Sequence, residues 1–193
     1  MGNVIAQLFI SLDGVVRAPE KWHFPFMNDE MASAVSAHFA RADTLLLGRV
    51  SYEIFADSWP HRPGEEFLAQ RINSMPKLVA TSGTEALTWR NSSIAHADLR
   101  AQLTHLAAEE NAIIAVAGSI TLVRWLIRER LLDELELMIH PIVLGNGEKL
   151  FATGLDSITF DLAQSAVFAT GVLDLIYRRS AAAADQTAEN RRS

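Results

Sequence analysis

Leu45-Leu46-Leu47-Gly48-Arg49-Val50-Ser51-Tyr52-Glu53 is an aliphatic run that stops at a glycine and passes at once into residues with helical spacing. The run Asp43 to Leu47 is too short for a helix and reads as a strand buried on both faces. Val50, Ile54 and Phe55 predict the apolar stripe of the following helix, which ends near Trp59-Pro60. The same pattern returns at Ala115-Val116-Ala117-Gly118-Ser119-Ile120-Thr121-Leu122, with Val123, Leu126, Ile127 and Leu131 turned inward. Strands that feed directly into helices belong to a parallel sheet with covered faces.

Working outward, Val4 to Ser11 is a third buried strand, and Asp13-Gly14 before Val15-Val16 marks a tight turn. A loop rich in proline and aromatic residues runs from Ala18 to Met27. Asn28 caps a helix with Asp29 and Glu30 in its first turn and Met31, Val35, His38 and Phe39 along one stripe. Glu66 to Ile72 reads as one or two helical turns, and Lys77 to Thr81 as a strand after Pro76. Ser82 to Ala97 is ambiguous, with one weak strand near Leu87 to Trp89; Asp98 then caps a helix along Leu99, Leu103 and Leu106. In the last third, Leu135 to Leu144, Ile158 to Thr170 and Val172 to Arg179 read as strands with no helix between them. The expected fold is α/β in three layers: a mixed, mostly parallel sheet with antiparallel C-terminal strands and helices on both faces. Residues 1–180 are read as one domain, and 181–193 (AAAADQTAENRRS), with almost nothing to bury, as a disordered tail.

Composition narrows the function. The chain has 193 residues, 17 Lys+Arg against 23 Asp+Glu and a net charge of −6, a balance that argues against nucleic acid as a partner. Cysteine is absent, which excludes thiolate zinc sites and cysteine nucleophiles. The six histidines show no close ligand spacing, so no metal is expected. There is no run of apolar residues long enough to span a membrane and no visible secretory signal, and the chain is read as cytoplasmic.

In parallel sheets ligands bind beyond the carboxyl ends of the strands, which directs attention to the two junctions. A helix N-terminus presents unpaired N–H groups and the positive end of a dipole. At the first junction Arg49 adds a permanently charged fork and Ser51 a hydroxyl; an arginine there favours NADP over NAD. A plain helix start with a solvated arginine is the competing explanation. At the second, the amides of Ser119 to Leu122, including Ile120, form a seat for pyrophosphate, with the hydroxyls of Ser119 and Thr121 beside them. Ser119 as an ordinary N-cap accounts for the residues equally well. Thr81 and Ser82 end the Lys77 strand, as adenosine-side contacts or as turn formers.

These segments together resemble the dihydrofolate reductase-like superfamily, and within it the reductase domain of bacterial riboflavin-biosynthesis deaminase-reductases. The matching stretches are SLDGVV (11–16), DTLLLGRVSYEIF (43–55), MPKLVATS (75–82), AVAGSITLVRWLI (115–127), LLDELELMIHPIVLGNGEKLF (131–151) and VLDLIYRR (172–179). The resemblance implies NADPH as hydride donor. Gly48, Arg49 and Ser51 would hold the 2′-phosphate side with Thr81 and Ser82 nearby, and Gly118, Ser119, Ile120 and Thr121 the pyrophosphate. Ser11 to Gly14 would lie beside nicotinamide and substrate, making Asp13 the candidate catalytic acid; Asp13-Gly14 also has a purely structural explanation as a turn. Trp22, His23, Phe24 and Phe26 are either a lid over a flat heterocycle or anchors of their loop. Asp29 and Glu30 are further acids near the expected substrate. The substrate class is a small heterocycle: a ribosylaminopyrimidine riboflavin precursor or a pterin. A homodimer is the implied assembly. Folate reductases carry a carboxylate after a Trp and a Pro, and Asp29 and Glu30 after Trp22 and Pro25 match that pattern only with an offset. A folate or pteridine reductase, or a non-catalytic nucleotide-binding protein, are the alternatives.

Overall fold

The computed structural model describes residues 2–62, 66–95, 97–108, 112–151 and 157–180. The expected tail, 181–193, lies outside the described residues. Among the described residues eight strands form one sheet: β1 (Asn3–Ser11), β2 (Thr44–Gly48), β3 (Lys77–Ala80), β4 (Ser92–Ile94), β5 (Ile113–Ala117), β6 (Glu134–His140), β7 (Phe160–Val167) and β8 (Leu173–Arg179). Their order is β4-β3-β2-β5-β1-β6-β8-β7. All pairings from β4 to β6 are parallel, and β8 runs antiparallel to both β6 and β7. Among the described residues the α-helices are α1 (Asp29–Ala40), α2 (Arg49–Ser58), α3 (Glu66–Ser74), α4 (Leu99–Ala108) and α5 (Ile120–Arg128). None of them is long and apolar enough to cross a membrane.

Period-two alternation along the strands distributes the core. Val4, Ala6, Leu8 and Ile10 of β1 pack with Leu46, Leu103 and the Leu122, Val123 and Leu126 stripe of α5. Ile5 joins Leu45 and Leu47 beneath Phe39, Tyr52, Leu68 and Ile72 on the other face. Leu45, Leu46 and Leu47 are each 0% exposed, a burial worth about 1.5–3 kcal/mol per side chain.

The register positions the site. β1 pairs with β5 only from Asn3 to Gln7, opposite Ala117, and then runs on beside β6 as far as Ser11, opposite His140. The carboxyl edge therefore steps: β2 and β5 end low, at Gly48 and Ala117, while β1 and β6 rise beside them as a wall.

Several sequence expectations are corrected here. Val50 and Ile54 do not face the core but are 68% and 61% exposed. Helix α2 docks through Ser51, Tyr52 and, of the expected stripe, Phe55, with Ser51 set against the turn that carries Gly118. The weak strand is Ser92–Ile94, not Leu87 to Trp89. Trp89 is a plug, with its backbone N–H donating to Tyr52 Oη at 2.8 Å and its Nε1 to Asn73 Oδ1 at 2.8 Å. The strand expected to reach Leu144 ends at His140, before Pro141, which lacks an N–H for the ladder. Lys77 is 1% exposed, its Nζ donating to the carbonyls of Asn73, Met75 and Arg90.

Candidate functional site

The two glycine junctions interlock at the low step of the sheet edge. A Cβ on Gly48 would lie 2.2 Å from Ser119 Oγ, and one on Gly118 would lie 2.8 Å from Ser51 Oγ. Each glycine thus lies against the serine of the other turn. Gly48 has an ordinary φ of −77° and is needed for space alone. Gly118 is needed twice, because its φ of +62° also lies in the left-handed region. Ser119 follows at φ +49°, a conformation costly for a non-glycine residue and one that gathers at ligand-binding turns.

Ser119 is not an ordinary N-cap: its side chain makes no capping hydrogen bond, and neither does any side chain at the start of α2. Two helix N-termini, both without side-chain caps, start from touching turns. That arrangement concentrates N–H donors and dipole charge where an anion would sit. Ile120 is half-buried and Thr121 exposed in the first turn of α5, while Ser51 is buried at the contact.

Arg49 stands at the outer end. Its Nε donates to Glu53 Oε1 at 2.7 Å, and its Nη2 to Glu85 Oε2 at 2.7 Å. The hydrogen bond to Glu53, followed by the field of Glu85, raises its pKa further above the ordinary guanidinium value. Arg49 is therefore not a free solvated side chain, and Glu85 is a neighbour for which no local sequence signal exists. Thr81 Oγ1 accepts from Gly83 N at 3.0 Å, a turn closed on itself, and Ser82 is exposed beside it.

At the high step, the Ser11–Gly14 stretch is a hydrogen-bonded turn. Ser11 is 2% exposed; its Oγ donates to Asp13 Oδ1 at 2.7 Å and accepts from Val15 N at 2.9 Å. Asp13 also accepts from Leu144 N (3.1 Å) and Gly145 N (3.0 Å). The Ser11 hydroxyl first, then these amides, lower its pKa to about 2. At neutral pH Asp13 is a carboxylate, an acceptor that ties the 141–145 segment to the turn and has no proton to give. Asp13→Asn is expected to accelerate amide exchange at Leu144 and Gly145 by about tenfold, because an Asn side chain offers one acceptor oxygen in place of two. Unchanged exchange, read by NMR or mass spectrometry, would show that the carboxylate does not hold the segment.

The aromatic loop behaves as an anchor. Trp22 is 7% exposed, with its Nε1 donating to Arg17 O at 3.1 Å. It meets the His140 ring edge-on at 5.1 Å, and His23 stacks on Phe9 at 4.6 Å. Burial, and then the neighbouring His140, push the His23 pKa down to about 4. Only Phe24 of this group is strongly exposed, at 55%. Asp29 is exposed in the first turn of α1, and Glu30 accepts from Ala169 N at 2.7 Å.

One acid cluster escaped the sequence reading. Under α1, Glu136 of β6 accepts from Gln7 Nε2 at 2.7 Å and from His38 Nδ1 at 3.0 Å. Asp174 of β8 is 6% exposed. Burial, and then the Glu136 carboxylate, raise its pKa to about 7. The signal was present as acids at alternate positions of apolar strands. Among the described residues no group of three His, Asp or Glu side chains is arranged to hold a metal ion.

Comparison with known proteins gives the family and the fold. The RibD C-terminal domain model matches residues 3–173. The uncharacterized protein YyaP of Bacillus subtilis is 25% identical over 179 residues, covering 91% of this chain and 94% of that protein. A Shewanella sp. PV-4 protein assigned provisionally to riboflavin biosynthesis superposes with a TM-score of 0.75 at 22% identity, over 92% of this chain and 99% of the other. Dihydrofolate reductase from Enterococcus faecalis, solved with NADP(H), superposes with a TM-score of 0.60 at 18% identity over 92% and 96%. The structural matches establish a dihydrofolate reductase-like fold.

Proposed function

Because the chain belongs to the RibD C-terminal domain family over residues 3–173, we propose that it is a reductase transferring hydride from NADPH to a small heterocycle of ribosylaminopyrimidine or pterin type. The observation that carries this reading is the interlock of Gly48 with Ser119 and Gly118 with Ser51, which sets two uncapped helix N-termini side by side. NADPH, when bound, supplies the hydride. The chain's own residues bind and position. The first-turn amides of α5, with Ser119 and Thr121, hold the pyrophosphate. Ser51 and Arg49 hold the ribose-phosphate end, with Thr81 and Ser82 nearby. The Asp13-pinned turn walls the nicotinamide end, where Asp13 is a positioning residue and not a proton donor. Family membership supports the reductase class, and the protein is read as acting as a homodimer.

The test is thermal. At 100 times its dissociation constant, NADPH should stabilise the fold by about 2.7 kcal/mol, a rise in Tm of roughly 5–10 °C for a chain of this size. Arg49→Ala should weaken NADPH about tenfold or more and leave NADH nearly unchanged, because only the 2′-phosphate loses its partner. If neither nucleotide moves Tm, the site reading falls. Loss of NADPH absorbance with ribosylaminopyrimidines, pterins and folates as acceptors then identifies the substrate class; silence across that panel despite NADPH binding would leave a nucleotide-binding protein.

A further inference from the structure

We propose that Glu85 sets how strongly this chain prefers a 2′-phosphorylated dinucleotide, by occupying on Arg49 the place that the phosphate would take. The inference rests on reading the Arg49 corner as the adenosine-ribose end of the site.

The two carboxylates on Arg49 differ in kind. Glu53 lies one helical turn further along α2, a spacing at which such pairs form as a local property of the helix. Glu85 is 36 residues away in sequence. It is delivered by the segment between β3 and Trp89, which is anchored by the Trp89 N–H on Tyr52 Oη at 2.8 Å. The Glu85 side chain is 78% exposed, so burial does not hold it there; its partner is the Arg49 guanidinium, with Oε2 on Nη2 at 2.7 Å. A carboxylate on that fork is a close chemical stand-in for phosphate, since both present oxygens to adjacent N–H groups.

Charge gives the direction. One guanidinium faces two carboxylates, so the corner carries +1 − 2 = −1 before any ligand arrives. A 2′-phosphate must displace Glu85 or lie against it, and both weaken binding. A 2′-hydroxyl meets no such cost and can donate to the carboxylate, the arrangement that favours unphosphorylated dinucleotides. Arg49 and Glu85 thus act in opposite senses on one atom of the ligand.

The experiment measures dissociation constants of NADPH and NADH for the full chain by fluorescence titration, with Glu85→Gln and, as a charge control, Asp57→Asn on the exposed side of α2. Glu85→Gln should tighten NADPH about tenfold, equivalent to 1.4 kcal/mol. NADH should be unchanged or weaker, so that the NADH-to-NADPH ratio of dissociation constants rises by about that factor. The gain should shrink as salt is raised, since the repulsion it removes is screened, and should vanish on an Arg49→Ala background. Asp57→Asn should leave the ratio alone. If both nucleotides bind but Glu85→Gln leaves the ratio unchanged, or Asp57→Asn shifts it equally, the Glu85 inference is overturned while the site stands. If neither nucleotide binds wild type or variant, the site reading itself is wrong and the inference goes with it.

Discussion

Gly48→Ala is expected to weaken NADPH binding by at least about 100-fold, some 2.7 kcal/mol, in a protein that still folds. The backbone at Gly48 is ordinary, so alanine brings no conformational strain. The obstacle is Ser119 Oγ, 2.2 Å from where the new Cβ must lie, with Ser119 Cβ at 3.1 Å. The two turns must part by about an ångström, and the helix N-termini that follow them lose their common focus; a misplacement of that size is enough to dismantle a pre-organised anion seat. The second variant makes the argument specific. Gly48→Ala with Ser119→Ala removes the hydroxyl and leaves only the 3.1 Å contact, so affinity should recover in part. Gly118→Ala should be more damaging than its contact of 2.8 Å alone implies, because its φ of +62° adds strain. Calorimetric titration beside a melting curve decides it. Wild-type affinity in Gly48→Ala would mean that the turns do not meet in solution.

Asp174→Asn is expected to stabilise the fold by about 2 kcal/mol at pH 8 and to do nothing of the kind at pH 4. Asp174 lies with Glu136 in the layer beneath α1, and one of its oxygens, Oδ1, has no hydrogen-bond partner among the described residues. Burial, and then the Glu136 carboxylate, push its pKa from the ordinary 3.8 up to about 7. Between those values the native state holds a proton that the unfolded chain has lost, so stability falls as pH rises through the window and levels off above pH 7. Asparagine mimics the protonated acid at every pH and can donate to Glu136. The difference between variant and wild type should therefore be small below pH 4, grow from there to pH 7 and then stay flat. Denaturant unfolding at pH 4, 6 and 8 measures it. A pH-independent difference would mean that Asp174 is not the group holding the proton.

The parts of this fold that were legible in the sequence are those governed by local periodicity. Buried parallel strands announce themselves as short aliphatic runs, and α1, α4 and α5 as stripes; Asn28 caps α1 through its bond with Met31 N at 3.0 Å, as its residue type foretells. The phase of α2 was not legible. Val50 and Ile54 carry helical spacing yet face solvent, because hydrophobic spacing describes a stripe without saying which neighbour claims the helix. Tyr52 and Phe55, packed on the core, and Ser51, set against Gly118, claimed it together. The strand misplaced at Leu87 to Trp89 has a similar cause, an apolar side chain buried as a plug between α2 and α3 and not as part of a ladder.

Arginine on a helix start, two glycine junctions and an Asp-Gly turn could be named from the chain alone, because each is a local chemical requirement: room for the backbone, a donor fork, a tight reversal. What those groups do to one another could not. That Gly48 abuts Ser119, that Asp13 is spent on the amides of 144 and 145, that Glu85 shares Arg49 and that Asp174 faces Glu136 are all contacts between residues far apart in sequence. They exist only once the parallel crossovers have folded, since charge and space act through distance and the chain records only order.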